Sequence, residues 1–161
     1  MSSAHPYGPE SMDDDLTTRA RTIIDANLYM TLATADEAGR PWASPVYFAH
    51  AGYRQFVWVS KPGATHSRNI AARPQVGIVV FDSRAPIGTG GGVYIAATAE
   101  ELLGEDREHA LAVFSARSVT HDGEVWGLDR VEAPAELRIY RATATEHWML
   151  DSRDRRQPIS P

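Results

Sequence analysis

The 161-residue chain contains no cysteine. Disulfides, thiolate metal ligands and a cysteine nucleophile are therefore excluded, which fits a reducing compartment. A chain of this length can bury roughly two-thirds of its unfolded surface, so it needs no cross-links to be stable. Its composition, 43% hydrophobic and 23% charged, is that of an ordinary globular protein. We expect a single folded domain over residues 13–151.

Long apolar stretches are also absent. No apolar run approaches the roughly 20 residues that a membrane-spanning helix requires. Residues 1–15 are polar and acidic, and they lack the apolar centre of a secretory signal peptide. The sequence thus predicts a cytoplasmic protein with no membrane partner. Residues 1–12, with Pro6, Gly8 and Pro9, are predicted to form a disordered N-terminal tail.

Basic clusters are scarce. The formal net charge is −5, and the one basic cluster, Arg153–Arg156, is interrupted by Asp154. It lies in residues 152–161, which we predict to be a solvated C-terminal tail. Nucleic-acid-binding proteins usually carry a basic patch, so no nucleic-acid partner is expected. The six histidines are not spaced as ligands on any one predicted element, so no metal site is expected either.

The sequence does contain a series of apolar segments with a two-residue period. Six strands are predicted, over residues 28–34, 41–50, 54–60, 76–81, 93–103 and 137–150. Three helices are predicted, over residues 13–27, 65–72 and 106–117. Pro41 and Pro45 place the second strand at an edge or a bulge, because proline cannot donate to a sheet. Strands joined in this way, with short inserted helices, predict a mostly β (α+β) fold built on a small antiparallel barrel.

The segment Ser60–Ile70, between two of these strands, is the most informative. Pro62-Gly63 breaks the chain, and Thr65–Arg68 then open a short helix. The first amides of a helix are unpaired donors and its dipole favours an anion. Hydroxyl groups and a guanidinium add ligands that suit a phosphate. The same residues also suit a helix start that is simply capped by a hydroxyl, and local chemistry alone favours that interpretation.

Five short segments carry a more specific pattern. They are Leu32–Thr34, Gly39–Pro41, Ser44–Val46, His66–Ile70 and Arg73–Val76. Their order and spacing across residues 28–103 resemble the pyridoxamine 5′-phosphate oxidase-like FMN-binding family. The resemblance implies a six-stranded antiparallel split β-barrel that works as a homodimer. It also implies FMN, or in one branch a deazaflavin coenzyme, in a groove between the subunits.

The resemblance implies positions for the cofactor as well. The phosphate would be held by the start of the second helix, at Thr65, His66, Ser67 and Arg68. The isoalloxazine edge would lie along two strands, beside Ser44, Pro45, Val46, Tyr47, Val59 and Ser60. Trp148 would reach the flavin of the partner subunit. Tyr47 and His50 are candidates for the substrate side, and we expect phosphate to raise the pKa of His66.

Three departures from the family pattern restrict the function. His66 stands where the family usually has a lysine, and Gly92 stands where oxidases often have a glutamine. The C-terminal Arg-x-His-Asp signature for the pyridoxal substrate is missing, so we do not expect pyridoxal phosphate synthesis. The sequence predicts an FMN-dependent oxidoreductase whose substrate, electron donor and catalytic residues are unknown. A deazaflavin-dependent reductase and a non-catalytic flavin- or ligand-binding protein stay open as alternatives.

Overall fold

The computed structural model describes residues 9–161, with side chains from residue 15 onward. The helices are α1 (Pro9–Ala26), α2 (Thr65–Ala72) and α3 (Gly104–Thr120), with a short 3-10 helix at Leu128–Arg130. The strands are β1 (Tyr29–Ala35), β2 (Pro41–Tyr47), β3 (Ala49–Ala51), β4 (Gln55–Ser60), β5 (Gln75–Phe81), β6 (Gly92–Glu101), β7 (Arg138–Leu150) and β8 (Arg156–Ile159). Among residues 9–161, no helix is long and apolar enough to cross a membrane.

The strands form one antiparallel, curled sheet. Its order is β2-β1-β5-β6-β7-β4-β3, and β8 pairs with β7 beside this path. Only Phe48 separates β2 from β3, so the two ends of the path are consecutive pieces of one bent strand. Counted in this way, the path contains the six predicted strands, and β8 is an addition. The predicted split-barrel fold is confirmed, and β2 lies at an edge as its prolines indicated.

The termini differ from the predictions. α1 begins at Pro9 rather than at Asp13, so residues 9–12 are helical and not part of a disordered tail. Residues 1–8, the rest of that predicted tail, lie outside the described residues. The prediction of a C-terminal tail from Ser152 is also wrong, because Arg156–Ile159 pair with β7 and Ile159 packs into the core. The sequence signal was weak there, since one isoleucine stands among charged residues and proline.

The core is divided between the two faces of β4. Phe56 and Trp58 point into the barrel and are fully buried. Val57 points the other way, into a second cluster in which the apolar face of α3 packs on the sheet. The prediction of a strand buried on both sides is therefore confirmed. α1 covers the barrel with the predicted face, through Leu16, Ala20 and Ile24.

Candidate functional site

Helix α2 begins without a capping side chain. Its N-cap residue is Ala64, which has no side-chain hydrogen bond to offer. The first backbone bond into the helix runs from the Arg68 amide to the Ala64 carbonyl, at 3.0 Å. Within residues 9–161, the amides of Thr65, His66 and Ser67 have no acceptor. The interpretation as a simple capped helix start is therefore wrong, and three donors remain for water or a ligand.

His66 connects α2 to two strands. Its Nε2 atom lies 2.7 Å from Ser60 Oγ at the end of β4, and its Nδ1 atom lies 3.2 Å from Ser44 Oγ on β2. A neutral imidazole has one donor and one acceptor, so it satisfies both hydroxyls at once. Burial lowers the pKa of His66. His66 is thus a neutral side chain that links α2 to β2 and β4. A pKa raised by bound phosphate stays a prediction.

The side chain of Ser67 points inward. It is buried, and its Oγ faces the Tyr140 hydroxyl without reaching hydrogen-bond geometry. Its hydroxyl is therefore turned away from the helix surface. The amide of Ser67 is the part of this residue that lies at the helix start.

Thr65 and Arg68 face the opposite way. They line a hollow of about 480 Å³ between α2 and the turn that joins β1 to β2. Arg40 lines the same hollow, and its Nε atom donates to Asp36 Oδ2 at 2.7 Å. Among the ion pairs of the described residues, none involves Arg68. Arg68 is therefore a cation available to an anion, and Arg40 is a second arginine that the sequence analysis left without a role.

A second concavity of about 590 Å³ lies between the sheet and α3, and we call it the aromatic pocket. Its sheet side includes five predicted residues, Pro45, Val46, Tyr47, Val59 and Ser60. Its other side comes from β1, α3 and the loop after α3, through Leu28, Tyr29, Phe114, Ser118, His121, Gly123, Trp126 and Leu137. The sequence analysis missed this second group, because its members come from segments far apart in the chain.

Tyr47 is at the centre of the aromatic pocket. Its hydroxyl lies 2.9 Å from His121 Nδ1. Its ring meets Phe114 edge to face at 5.5 Å and Tyr29 at 6.1 Å. Burial raises the pKa of Tyr47, so the side chain stays a neutral phenol. Tyr47 was predicted as a residue of the substrate side, and the structure places its side chain in this pocket.

The wall beyond Tyr47 is held in place by specific contacts. The Trp126 amide donates to Ser115 Oγ at 2.8 Å, and its ring meets Phe114 edge to face at 5.3 Å. The Arg130 guanidinium lies over the outer face of that ring, 3.6 Å from its centroid. The loop after α3 is thus fastened to the helix, and the pocket is preformed.

Two predicted residues lie elsewhere. Trp148 is on the second half of β7, opposite Tyr94 of β6, and Arg156 covers its ring at 5.2 Å. His50 lies outside the aromatic pocket and pairs with Asp25 of α1, with 2.7 Å between Nε2 and Oδ1. In the single chain, therefore, neither residue lies with Ser44, Ser60 and His66.

Residues 16–151 match the family model described as Pyridoxamine 5′-phosphate oxidase. No sequence among curated proteins matches the chain significantly. Among solved structures, the chain is similar to a heme binding protein from Mycobacterium smegmatis, with a TM-score of 0.69 and 22% identity. That alignment covers 87% of this chain and 55% of the other.

Two further structures illustrate the range of the fold. The heme storage protein HutZ from Vibrio cholerae has a TM-score of 0.64 and 18% identity, over 80% of this chain and 89% of that one. An F420 reductase has a TM-score of 0.58 and 21% identity, over 80% of this chain and 94% of that one. At these identities the likeness shows a common fold.

Proposed function

This chain belongs to the pyridoxamine 5′-phosphate oxidase-like family of split β-barrels, and we propose that it is an FMN-binding oxidoreductase. The observation that carries this proposal is the start of α2. Among the described residues, three free amides follow Ala64 and the Arg68 guanidinium has no acidic partner. Such an arrangement fits a phosphate, because helix N-termini and arginines both favour oxyanions.

The phosphate end of FMN would be held by the amides of Thr65–Ser67, the hydroxyl of Thr65 and the guanidinium of Arg68. A charge-assisted hydrogen bond contributes about 1.5–3 kcal/mol, roughly twice a neutral one. We assign the larger share to Arg68 for this reason. Arg40 lines the same hollow, but its ion pair with Asp36 offsets its charge.

The polar edge of the ring would lie along β2. This strand pairs with β1 on one side, and within residues 9–161 its other side has no paired strand along the sheet path. An edge strand presents free amides and carbonyls, which are the groups that orient a flavin ring. FMN would supply the electron transfer, and the protein would bind, orient and shield it.

We further propose that two copies form the cofactor groove together. On the outer face of the sheet, Ala43, Ala33, Gly77 and Ala96 stand in one row across four strands. This row of small residues would let a second sheet approach closely, and Phe81 beside it is 49% exposed. Phe56 and Trp58 would take no part in this contact, since both are fully buried within the single chain.

Two other cofactors compete with FMN. A deazaflavin coenzyme also carries a phosphate, so it would use the same start of α2, and a reductase named for F420 has this fold. Heme is favoured by a different observation: His121 lines the aromatic pocket, and two structural neighbours are named for heme. Imidazole is a common axial ligand of heme iron.

Titration of the purified full-length chain tests the proposal. We expect an oxidised-flavin absorption spectrum, or saturable quenching of FMN fluorescence by colourless protein. If the protein binds the deazaflavin coenzyme and does not respond to FMN, the deazaflavin coenzyme is its cofactor. A Soret band with added hemin that disappears in His121→Ala, again with no response to FMN, would favour heme. Tight FMN binding without turnover of any electron donor would favour a non-catalytic binding protein.

A further inference from the structure

The aromatic pocket has a lining without charged side chains. Of the described residues that line it, none is lysine, arginine, aspartate or glutamate. Arg130 lies 3.6 Å from the Trp126 ring centroid but is not among the lining residues, and it pairs with Glu124 at 2.7 Å. A charged ligand that entered would lose its hydration without gaining an ion pair, which costs several kcal/mol. Arg117 acts on Tyr47 from outside the lining, and its guanidinium donates to the carbonyl oxygens of Phe48 and Asn27. The described lining therefore offers an ion no charged side chain as a direct partner.

The shape and the aromatic groups favour a flat ligand. Tyr47, Phe114 and Trp126 form a chain of edge-to-face contacts, with centroids 5.5 and 5.3 Å apart. Tyr29, 59% exposed, stands at the mouth. Aromatic faces and edges attract another ring in stacked or edge-to-face geometry. Apolar walls with a few convergent polar groups are typical of small-molecule sites.

The polar group in this pocket is the pair formed by Tyr47 and His121. Where His121 Nδ1 carries the hydrogen and donates to Tyr47 Oη, the Tyr47 hydrogen is free for a ligand carbonyl or hydroxyl oxygen. Where Tyr47 donates to Nδ1, it has no hydrogen left for a carbonyl. Burial keeps the pKa of this phenol above its ordinary value. Tyr47 can therefore offer one hydrogen bond in a pocket whose other described polar side chains are Ser60, Ser118 and His121.

We propose that the aromatic pocket binds an uncharged, planar aromatic compound that carries a carbonyl or hydroxyl oxygen, with that oxygen hydrogen-bonded to Tyr47. This inference names the substrate class of the proposed oxidoreductase, and it rests on that function only for the chemistry that follows binding. The ring edge of FMN would lie along the backbone of β2, while the compound would lie deeper, against α3. Phosphorylated pyridoxal compounds would bring a charge for which the described lining holds no charged partner.

Matched naphthalene ligands test the proposal by isothermal titration calorimetry at pH 8. The probes are 2-acetylnaphthalene, which is neutral, 2-naphthoate, which has the same rings with a carboxylate, and naphthalene, which has no oxygen. We expect the ketone to bind at least about tenfold more tightly than the carboxylate. Tyr47→Phe should weaken binding of the ketone by roughly three- to tenfold and leave the affinity for naphthalene unchanged. Equal affinities for ketone and carboxylate, or a ketone affinity unaffected by Tyr47→Phe, would overturn the proposal.

Two charge variants provide a matched pair on the same loop. His121→Lys places a cation in the pocket lining, whereas Val125→Lys places one on a residue that is 74% exposed and outside the lining. We expect His121→Lys to reduce the ratio of ketone affinity to carboxylate affinity by on the order of tenfold. Val125→Lys should leave this ratio within about twofold of the wild type. Equal effects of the two variants would show that the ligands bind elsewhere.

The same titrations separate this inference from the proposed function. They are made on the full chain with and without saturating FMN. Ketone binding without any FMN binding would reject the proposal of an FMN cofactor and support the aromatic pocket as a ligand site. Ketone binding that FMN abolishes would overturn the inference, because the ring of FMN would then occupy the pocket. We expect the ketone to bind in both states.

Discussion

His66 Nε2 lies 2.7 Å from Ser60 Oγ, so the first turn of α2 is tied to the end of β4. The strand and the helix meet at this contact, and Ser60 itself lines the aromatic pocket. A movement of α2 would therefore displace a pocket residue. The start of α2 and the aromatic pocket are thus connected through one imidazole.

The titration of His66 predicts how stability depends on pH. Burial lowers its pKa in the folded protein, so the unfolded chain takes up a proton at a higher pH than the folded chain. The stabilisation by neutral His66 is complete above about pH 6.5, the unfolded value, and is lost as the pH falls towards the folded pKa. We expect the unfolding free energy, from urea titrations, to fall less between pH 7.5 and 5.5 in His66→Gln than in the wild type. Parallel pH profiles would contradict a buried, neutral His66.

Arg117 is predicted to be a major anchor between helices. Its guanidinium donates to the carbonyl oxygens of Phe48 and Asn27, both at 2.8 Å, and reaches Ile24 at 3.3 Å near the C-terminus of α1. Arg117→Ala leaves these acceptors without their cation, and we expect a loss of about 2–4 kcal/mol in urea unfolding. The exposed control Arg84→Ala should change stability by less than about 0.5 kcal/mol. Similar small effects of both variants would refute the anchoring role.

The final hairpin should depend on Asp151. Its carboxylate accepts hydrogen bonds from the backbone amides of Arg155 and Arg153, and these bonds lower the pKa of Asp151 to about 2. The stabilisation by ionised Asp151 is complete above the pKa of this residue in the unfolded chain, near 4. It is lost as the pH falls through the folded pKa of about 2. We expect Asp151→Ala to lower the unfolding free energy at pH 7, measured by urea titration, because two backbone amides lose their acceptor. Hydrogen exchange at Gln157 and Ile159 should accelerate, and unchanged protection would show that β8 forms without this turn.

The dimer is tested by a charge on the outer sheet face. Ala43 lies directly opposite Ala33 there, and both are exposed in the single chain. We expect the wild type to sediment as a dimer at micromolar concentration and Ala43→Arg as a monomer, since a buried unpaired charge is costly. Ala112→Arg, on the exposed side of α3, should stay dimeric. A monomeric wild type would contradict both the dimer and the shared groove.

Much of the fold could be predicted from the sequence, because its strands alternate strongly and prolines mark the edge. β8 could not, since its pairing with β7 depends on long-range hydrogen bonds and on the turn at Asp151. The site was predicted unevenly for a similar reason. Ser67 was grouped with Thr65 and Arg68 by proximity, although the 100° turn per helical residue separates their directions. The side of the aromatic pocket formed by Phe114 and Trp126 could not be predicted, because only folding brings these residues to Tyr47.

The direct test of the central claim is the affinity for FMN of four proteins: the wild type, Arg68→Ala, Ser67→Ala and Arg84→Ala. The claim is that the start of α2 holds the phosphate. It predicts that Arg68→Ala weakens FMN binding by at least about tenfold, the loss of one charge-assisted contact. Ser67→Ala should bind almost as the wild type does, because its hydroxyl faces Tyr140. The exposed control Arg84→Ala should be indistinguishable from the wild type. Equal FMN affinity in Arg68→Ala and in Arg84→Ala would contradict the account.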